Sequence, residues 1–201
     1  TALFFMRPMF PAIFDKLERA GAKIIPLRDP TILPKALKNK VEIAGQRSAQ
    51  ARDGAVIALP GGQRMAMSID SFVVQPLRFP GGSIGYLAVH GTLNDLAMAG
   101  AVPSWMSAAF VIEEGFRIDE LRGIVADMAD AAATACVQIV TGDTKVVPKG
   151  AADGMYITTA GVGMVPAGRE LSPSNVKPGD KLLASGAIGD HGMAVMLARG
   201  D

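Results

Sequence analysis

Five short stretches of this chain set oxygen donors, glycine or lysine beside apolar segments. They are Asp53 in "RDGAV", Asp70 in "SIDSF", Gly81 and Gly82 in "FPGGSIG", Asn94 and Asp95 in "LNDLA", and Asp143 with Lys145 in "GDTK". Carboxylates and amides brought together from separate segments suit Mg2+, which takes oxygen ligands and usually keeps several waters. A glycine-rich turn ahead of a helix offers backbone N–H groups and the positive helix end to an anion. A lysine nearby adds a charge that neutralises phosphate oxygens. The chemistry these residue types share is a magnesium–nucleotide site.

Each stretch also has a plainer reading. A Gly-Gly turn is usually only a turn. Asp70, taken alone, reads as the solvent side of an alternating strand. "GDTK" reads equally as a turn with an incidental surface ion pair. Asn94 and Asp95 are harder to set aside, because both are poor formers inside an otherwise Leu/Ala/Met helix. If buried there they need partners, and a cation is one way to supply them. Asp190 and His191 in "GDHG" precede a further helix and read as an anion contact or as a turn.

Other chemistries find little support. Lys145-Val146 and Lys149-Gly150 lack the upstream glycines of a phosphate-binding P-loop. No nucleophile elbow or Ser-His-Asp order is present. Two histidines, His90 and His191, and the single Cys136 make a poor zinc set, and Cys136 reads as a small core residue.

The elements that must position these residues follow from periodicity. Residues 9–20 read as a short amphipathic helix, and 39–54 as a polar stretch with few anchors. "AVIALPGGQRMAMSIDSFVV" reads as two strands around a Pro-Gly-Gly turn, with Met65, Met67 and Ile69 alternating against Arg64, Ser68 and Asp70. A glycine-rich turn then leads into a helix with Ile84, Leu87, Ala88 and Gly91 toward a sheet. A strand over "SWMSAAFVIEEG" and a helix with Leu121, Ile124, Val125 and Met128 inward come next. "VQIVTGD" and "MYITTAGVGMV" are strands, the first ending at the Asp143 lip. The order from Ala55 is β-β-α-β-α-β-β, an α+β unit with helices on one face of a mixed sheet. A final strand and a helix over "AIGDHGMAVMLARGD" read as the start of a second, truncated α/β domain.

Composition sets the outer limits. The chain has 201 residues, a net charge of +1 and 49% hydrophobic residues. Those values give no reason to expect nucleic-acid or membrane-surface binding. One cysteine excludes a disulfide framework and fits a reducing compartment, and no apolar run is as long as a membrane span. The expectation is a cytoplasmic protein.

The block "SIDSFVVQPLRFPGGSIGYLAVHGTLNDLAMAGAVPSWMSAAFVIEEGF", followed by "IVTGDTKVVPKG" and "GDHG", resembles the HypE hydrogenase maturation proteins of the PurM-like (aminoimidazole ribonucleotide synthetase) superfamily. The resemblance runs from about Asp53 to Arg199. It implies an α+β domain whose strands pair with a second subunit in a β-barrel, followed by an α/β domain. It implies ATP and Mg2+ as cofactors, and ATP-dependent dehydration of a carbamoyl group on a C-terminal cysteine to a thiocyanate, the source of the iron cyanide ligands of nickel–iron hydrogenases. It implies a homodimer, with the HypF carbamoyltransferase and a HypC–HypD complex as partners. Carried to this chain, it makes Asp53, Asp70, Asp95 and Asp143 metal ligands, and places Asp70, Gly81, Gly82, Asn94, Asp95, Asp143 and Lys145 around the nucleotide.

Residues 1–52 resemble aminopeptidase P instead, through "RDPTILPKALKN" and "EIAGQRSAQARDGA". The expected organisation is therefore a leader over 1–52, an ATP-binding and dimerisation domain over 53–165, and the start of a second domain over 166–201. A chimera joined near Asp53 is expected. It would lack the acceptor cysteine, so it would be catalytically incomplete.

Overall fold

The computed structural model describes residues 54–200, apart from 173, 174, 182, 184, 185, 187 and 188. Its strands are β1 (Gly54–Ala58), β2 (Arg64–Phe72), β3 (Arg78–Phe79), β4 (Gly82–Ser83), β5 (Val102–Glu113), β6 (Gln138–Val147) and β7 (Met155–Val165). Its helices are α1 (Ile84–Met98), α2 (Ile118–Thr134) and α3 (Asp190–Arg199). The order β-β-α-β-α-β-β is recovered, with the small β3–β4 hairpin added. The expectations for residues 1–52 and Asp53 lie outside the described residues.

The main sheet has the order β1-β2-β7-β5-β6. Only β5 and β6 run parallel; the other neighbours are antiparallel. The α2 helix supplies the crossover that a parallel pair requires. β7 lies at the centre, and every second residue from Met155 to Val165 is buried. That alternation defines a helix-covered face and an open face. The α1 helix packs over β2 and β7, with α2 against α1. Ile84, Leu96, Met106, Ile124, Met128 and Ile157 are among the fully buried side chains of the core between these layers.

Small residues set the close approach of these layers. A Cβ on Gly85 of α1 would lie 2.5 Å from the Ile124 carbonyl oxygen of α2, so the two helices meet backbone to backbone there. Gly54 and Gly161 pair with Ser68 from either side in the sheet, giving a row of three small residues beneath α1. A Cβ on Gly161 would come to 3.0 Å from both Leu96 and Thr92, and one on Gly54 to 3.4 Å from the Asp95 carbonyl.

Several expectations are corrected. The alternation in β2 is real, but Ala66 and Ser68 are the buried residues, while Ile69 is 65% exposed on the open face. Asp70 thus lies toward α1, not on a solvent side. Val125 of α2 is 45% exposed, and the inward positions are Ile124, Met128, Ala131 and Ala132. Cys136 is an exposed residue with φ 55, just past the C-cap of α2, and not part of the core. Asp143 and Lys145 lie within β6 and not at its end. No described residue of 178–186 is in a strand.

Candidate functional site at the β2–α1 seam

Alternation along β2 sends Ala66, Ser68, Asp70 and Phe72 to one face, and α1 crosses them. The Ser68 hydroxyl donates to Asp95 Oδ2 at 3.0 Å. Two residues further along β2 than Asp70, the Phe72 ring fills the space beside Gly91, where a Cβ would sit 2.7 Å from it. The α1 turn from Gly91 to Asp95 therefore brackets Asp70 on both sides. Behind it, Thr159, the β7 partner of Asp70, donates to the Ala88 carbonyl at 3.0 Å. Thr159 has one hydroxyl proton, so Thr92 is the donor in the 2.6 Å contact between the two hydroxyls. A polar seam runs between sheet and helix, with no buried side-chain polar atom left unsatisfied among the described residues.

Asp70 and Asp95 are half-buried at the rim of this seam, and Asn94 is exposed beside them on α1. Asn94 is not buried, because its position faces solvent, one residue round the helix from Asp95. The seam thus offers carboxylate oxygen without a soft or nitrogen donor. Among the described residues no three His, Cys, Asp or Glu side chains cluster as a full metal cage. Mg2+ does not need one, since one or two carboxylates, waters and substrate phosphates commonly complete its shell. The donor set fits that ion.

The other expected residues lie elsewhere. Gly81 and Gly82 are at the tip of the β3–β4 hairpin, and Asp95 stands twelve residues into the helix from Ser83, about 18 Å along its axis. The N-terminus of α1 is already supplied with an anionic partner. Ser83, its N-cap, donates to Asp127 Oδ2 at 2.6 Å, and Arg78, the β-partner of Ser83, reaches the same oxygen at 2.9 Å. Ile84 N donates to the Leu77 carbonyl, and Ser83, Ile84 and Gly85 are buried. The first turn of α1 is therefore not an open anion site.

Asp143 and Lys145 form an exposed ion pair at 2.9 Å. The lysine and the Thr144 amide hold the Asp143 carboxyl below its ordinary range. Their register partners Ala109 and Val111 alternate with the buried Ala108 and Ile112, so the pair projects from the open face. The sheet separates it from Asp70 and Asp95. The open face carries Thr158 and Tyr156 near the pair and Met67, Ile69, Trp105 and Val162 further along. His90 is exposed and stacks its ring 6.3 Å from that of Tyr86; His191 at the start of α3 meets Phe79 edge-on at 5.1 Å.

Sequence reasoning missed Ser68 and Glu113. Ser68 was signalled only by its place one alternation step before Asp70. The Glu113 carboxylate accepts from Gly150 N at 2.6 Å and Gly154 N at 3.1 Å, which lowers its pKa and ties the β6–β7 loop to the end of β5.

A five-stranded mixed sheet with two helices on one face, and a carboxylate seam beneath the first, defines the N-terminal domain of a PurM-like protein. Residues 51–165 match the family model described as AIR synthase related protein, N-terminal domain, and the chain belongs to that family. Among curated proteins it is 55% identical over 147 residues to carbamoyl dehydratase HypE of Rhodobacter capsulatus, covering 73% of this chain and 43% of the relative. Among solved structures it is similar to the HypE chain of a HypE–HypF complex, with TM-score 0.70 and 48% identity over 84% of this chain and 52% of that one. HypE in complex with ATP is similar at TM-score 0.66 and 48% identity, over 76% of this chain and 45% of that one. The chain spans less than half the length of the curated HypE from R. capsulatus. These comparisons support the HypE resemblance and give none to the aminopeptidase P resemblance of residues 1–52. Among the described residues no helix is long and apolar enough to cross a membrane.

Proposed function

We propose that this chain is the nucleotide-binding part of a HypE-type carbamoyl dehydratase, acting in nickel–iron hydrogenase maturation. In that reading Mg-ATP supplies the phosphoryl group that turns the oxygen of a protein-bound S-carbamoyl cysteine into a leaving group, and the product is the thiocyanate. The observation that carries the reading is the seam itself: β2 and α1, joined by the Ser68–Asp95 hydrogen bond, each bring a half-buried carboxylate, Asp70 and Asp95, to the rim of a fold similar to that of an ATP-bound HypE.

Asp70 and Asp95 hold the metal, and Asn94 lies beside it on the helix. Catalysis of this kind depends mainly on positioning and charge neutralisation, which rigid elements such as β2 and α1 provide. Asp53, which directly precedes β1, is proposed to act with them. Gly81 and Gly82 lie at the hairpin tip ahead of α1, at the opposite end of the helix from Asp95, so their part is restricted to that tip. Asp143 and Lys145 belong to the open face. A second copy seated on that face would cover Ile69 and Trp105 and bring the Asp143–Lys145 pair to the interface, which supports the homodimer. HypF is the proposed carbamoyl donor, on the strength of the related HypE–HypF complex, with HypC–HypD as acceptor by family resemblance.

Calorimetric titration of Mg-ATP into the chain and into Asp95→Asn tests the metal assignment. The wild-type chain should bind, and the variant should lose at least tenfold in affinity while keeping its circular dichroism spectrum. Equal binding by both removes Asp95 from the site.

A further inference from the structure

We propose that Ser68 is a positioning residue that orients the Asp95 carboxylate toward a divalent cation, an inference that rests on the Mg-nucleotide reading above. Ser68 is 3% exposed, and its hydroxyl donates to Asp95 Oδ2 at 3.0 Å. The contact is built by the row Gly54–Ser68–Gly161. With a glycine on either side, α1 settles low enough for a one-carbon side chain to reach the helix, as the 3.4 Å and 3.0 Å approaches at the two glycines show. An unrestrained Asp on a half-exposed helix turn samples several rotamers. A donor fixed on an interior strand selects one of them. It engages one carboxylate oxygen and turns the group along the seam, where Asp70 follows Ser68 on the same face of β2. Partners that hydrogen-bond a ligating carboxylate commonly affect metal affinity as strongly as this arrangement implies.

The competing account is that the bond merely ties α1 to the sheet. The two differ in what they leave untouched. In the positioning account the loss appears in the metal dependence of nucleotide binding; in the tie account it appears only in stability. The experiment measures ATP binding to the full chain as Mg2+ is titrated, for wild type, Ser68→Ala, Ser68→Cys and Ser68→Thr, with melting temperatures recorded in the absence of metal and ATP. Ser68→Ala should raise the Mg2+ concentration for half-maximal ATP binding about 10- to 100-fold. Ser68→Cys, close to serine in size but a weak donor, should do the same, which covers the case in which the alanine variant fails to fold. Ser68→Thr, which keeps the hydroxyl, should restore the wild-type midpoint to within about threefold.

A lowered melting temperature with an unchanged Mg2+ midpoint in both the Ala and Cys variants overturns the proposal. A folded Ser68→Thr chain as weak as Ser68→Ala also overturns it. A wild-type chain that binds ATP without regard to Mg2+, or not at all, instead overturns the nucleotide reading and the proposal with it.

Discussion

Replacing Gly85 by alanine is a sharp test of how the helices seat the candidate site, because two effects of known size oppose each other. Alanine inside a helix is favoured over glycine by about 1 kcal/mol. At Gly85 the added methyl would stand 2.5 Å from the Ile124 carbonyl oxygen, and 3.1 and 3.2 Å from side-chain atoms of Met128 and Ile124. The nearest obstacle is backbone, so the clash is relieved only if α1 and α2 move apart. Overpacking of this kind costs roughly 1–3 kcal/mol, more when a backbone must shift. The packing term wins, and Gly85→Ala is expected to lose about 1–2 kcal/mol net. In a chain of this size that is a fall of roughly 2–8 °C in melting temperature. Gly192 of α3 gives the contrast, since a Cβ there meets nothing within 4 Å. Gly192→Ala should therefore be neutral or gain up to about 1 kcal/mol. Thermal and urea unfolding of both variants beside wild type provide the readout. A Gly85→Ala protein as stable as wild type, or more so, would refute the close α1–α2 contact at the start of α1.

Three further outcomes follow from the same geometry. Glu113 has its folded pKa held below the ordinary 4.5 by the Gly150 and Gly154 amides, so its contribution is complete above that value and is lost as pH falls through the folded pKa. Glu113→Gln should flatten that part of the acid-unfolding curve, and an unchanged curve would argue against the latch. Ile69→Lys places a charge on the open apolar face, so sedimentation should show a shift toward monomer with no loss of helix signal. Asp143→Asn removes only an exposed ion pair, and its melting temperature in the absence of ligand should match wild type within error.

Most of the fold was legible because the periodicities were clean. The polar–apolar alternation of β2 and the apolar spacing of α1 predict elements that are found. The orientation of β2 was not legible from polarity. Met67 and Ile69 look like core residues, yet the helix rests on Ala66 and Ser68, because only small side chains let α1 approach so closely. The larger apolar residues are left for the open face. For the same reason Asp70 looked like a surface residue and lies in the seam. Asn94 and Asp95 stood out together as polar residues in the wrong place for a helix, and of the two only Asp95 turns toward the sheet. Its partner Ser68 carried no signal of its own, since a serine gains meaning only once two glycines bring a helix over it. The "GDTK" stretch reads as a strand end because glycine and aspartate are poor strand formers. It continues as a strand because pairing with β5 along its length outweighs that preference.

Thermal unfolding of the chain with Mg-ATP, with either component alone, and with neither tests the central claim most directly. A ligand present at a hundred times its dissociation constant adds about 2.7 kcal/mol of stability to the state that binds it. The account predicts one cooperative transition that moves to higher temperature when Mg2+ and ATP are present together, and little with either alone. A cooperative transition that ignores the pair would contradict it, leaving a PurM-like scaffold whose β2–α1 seam does not hold a nucleotide.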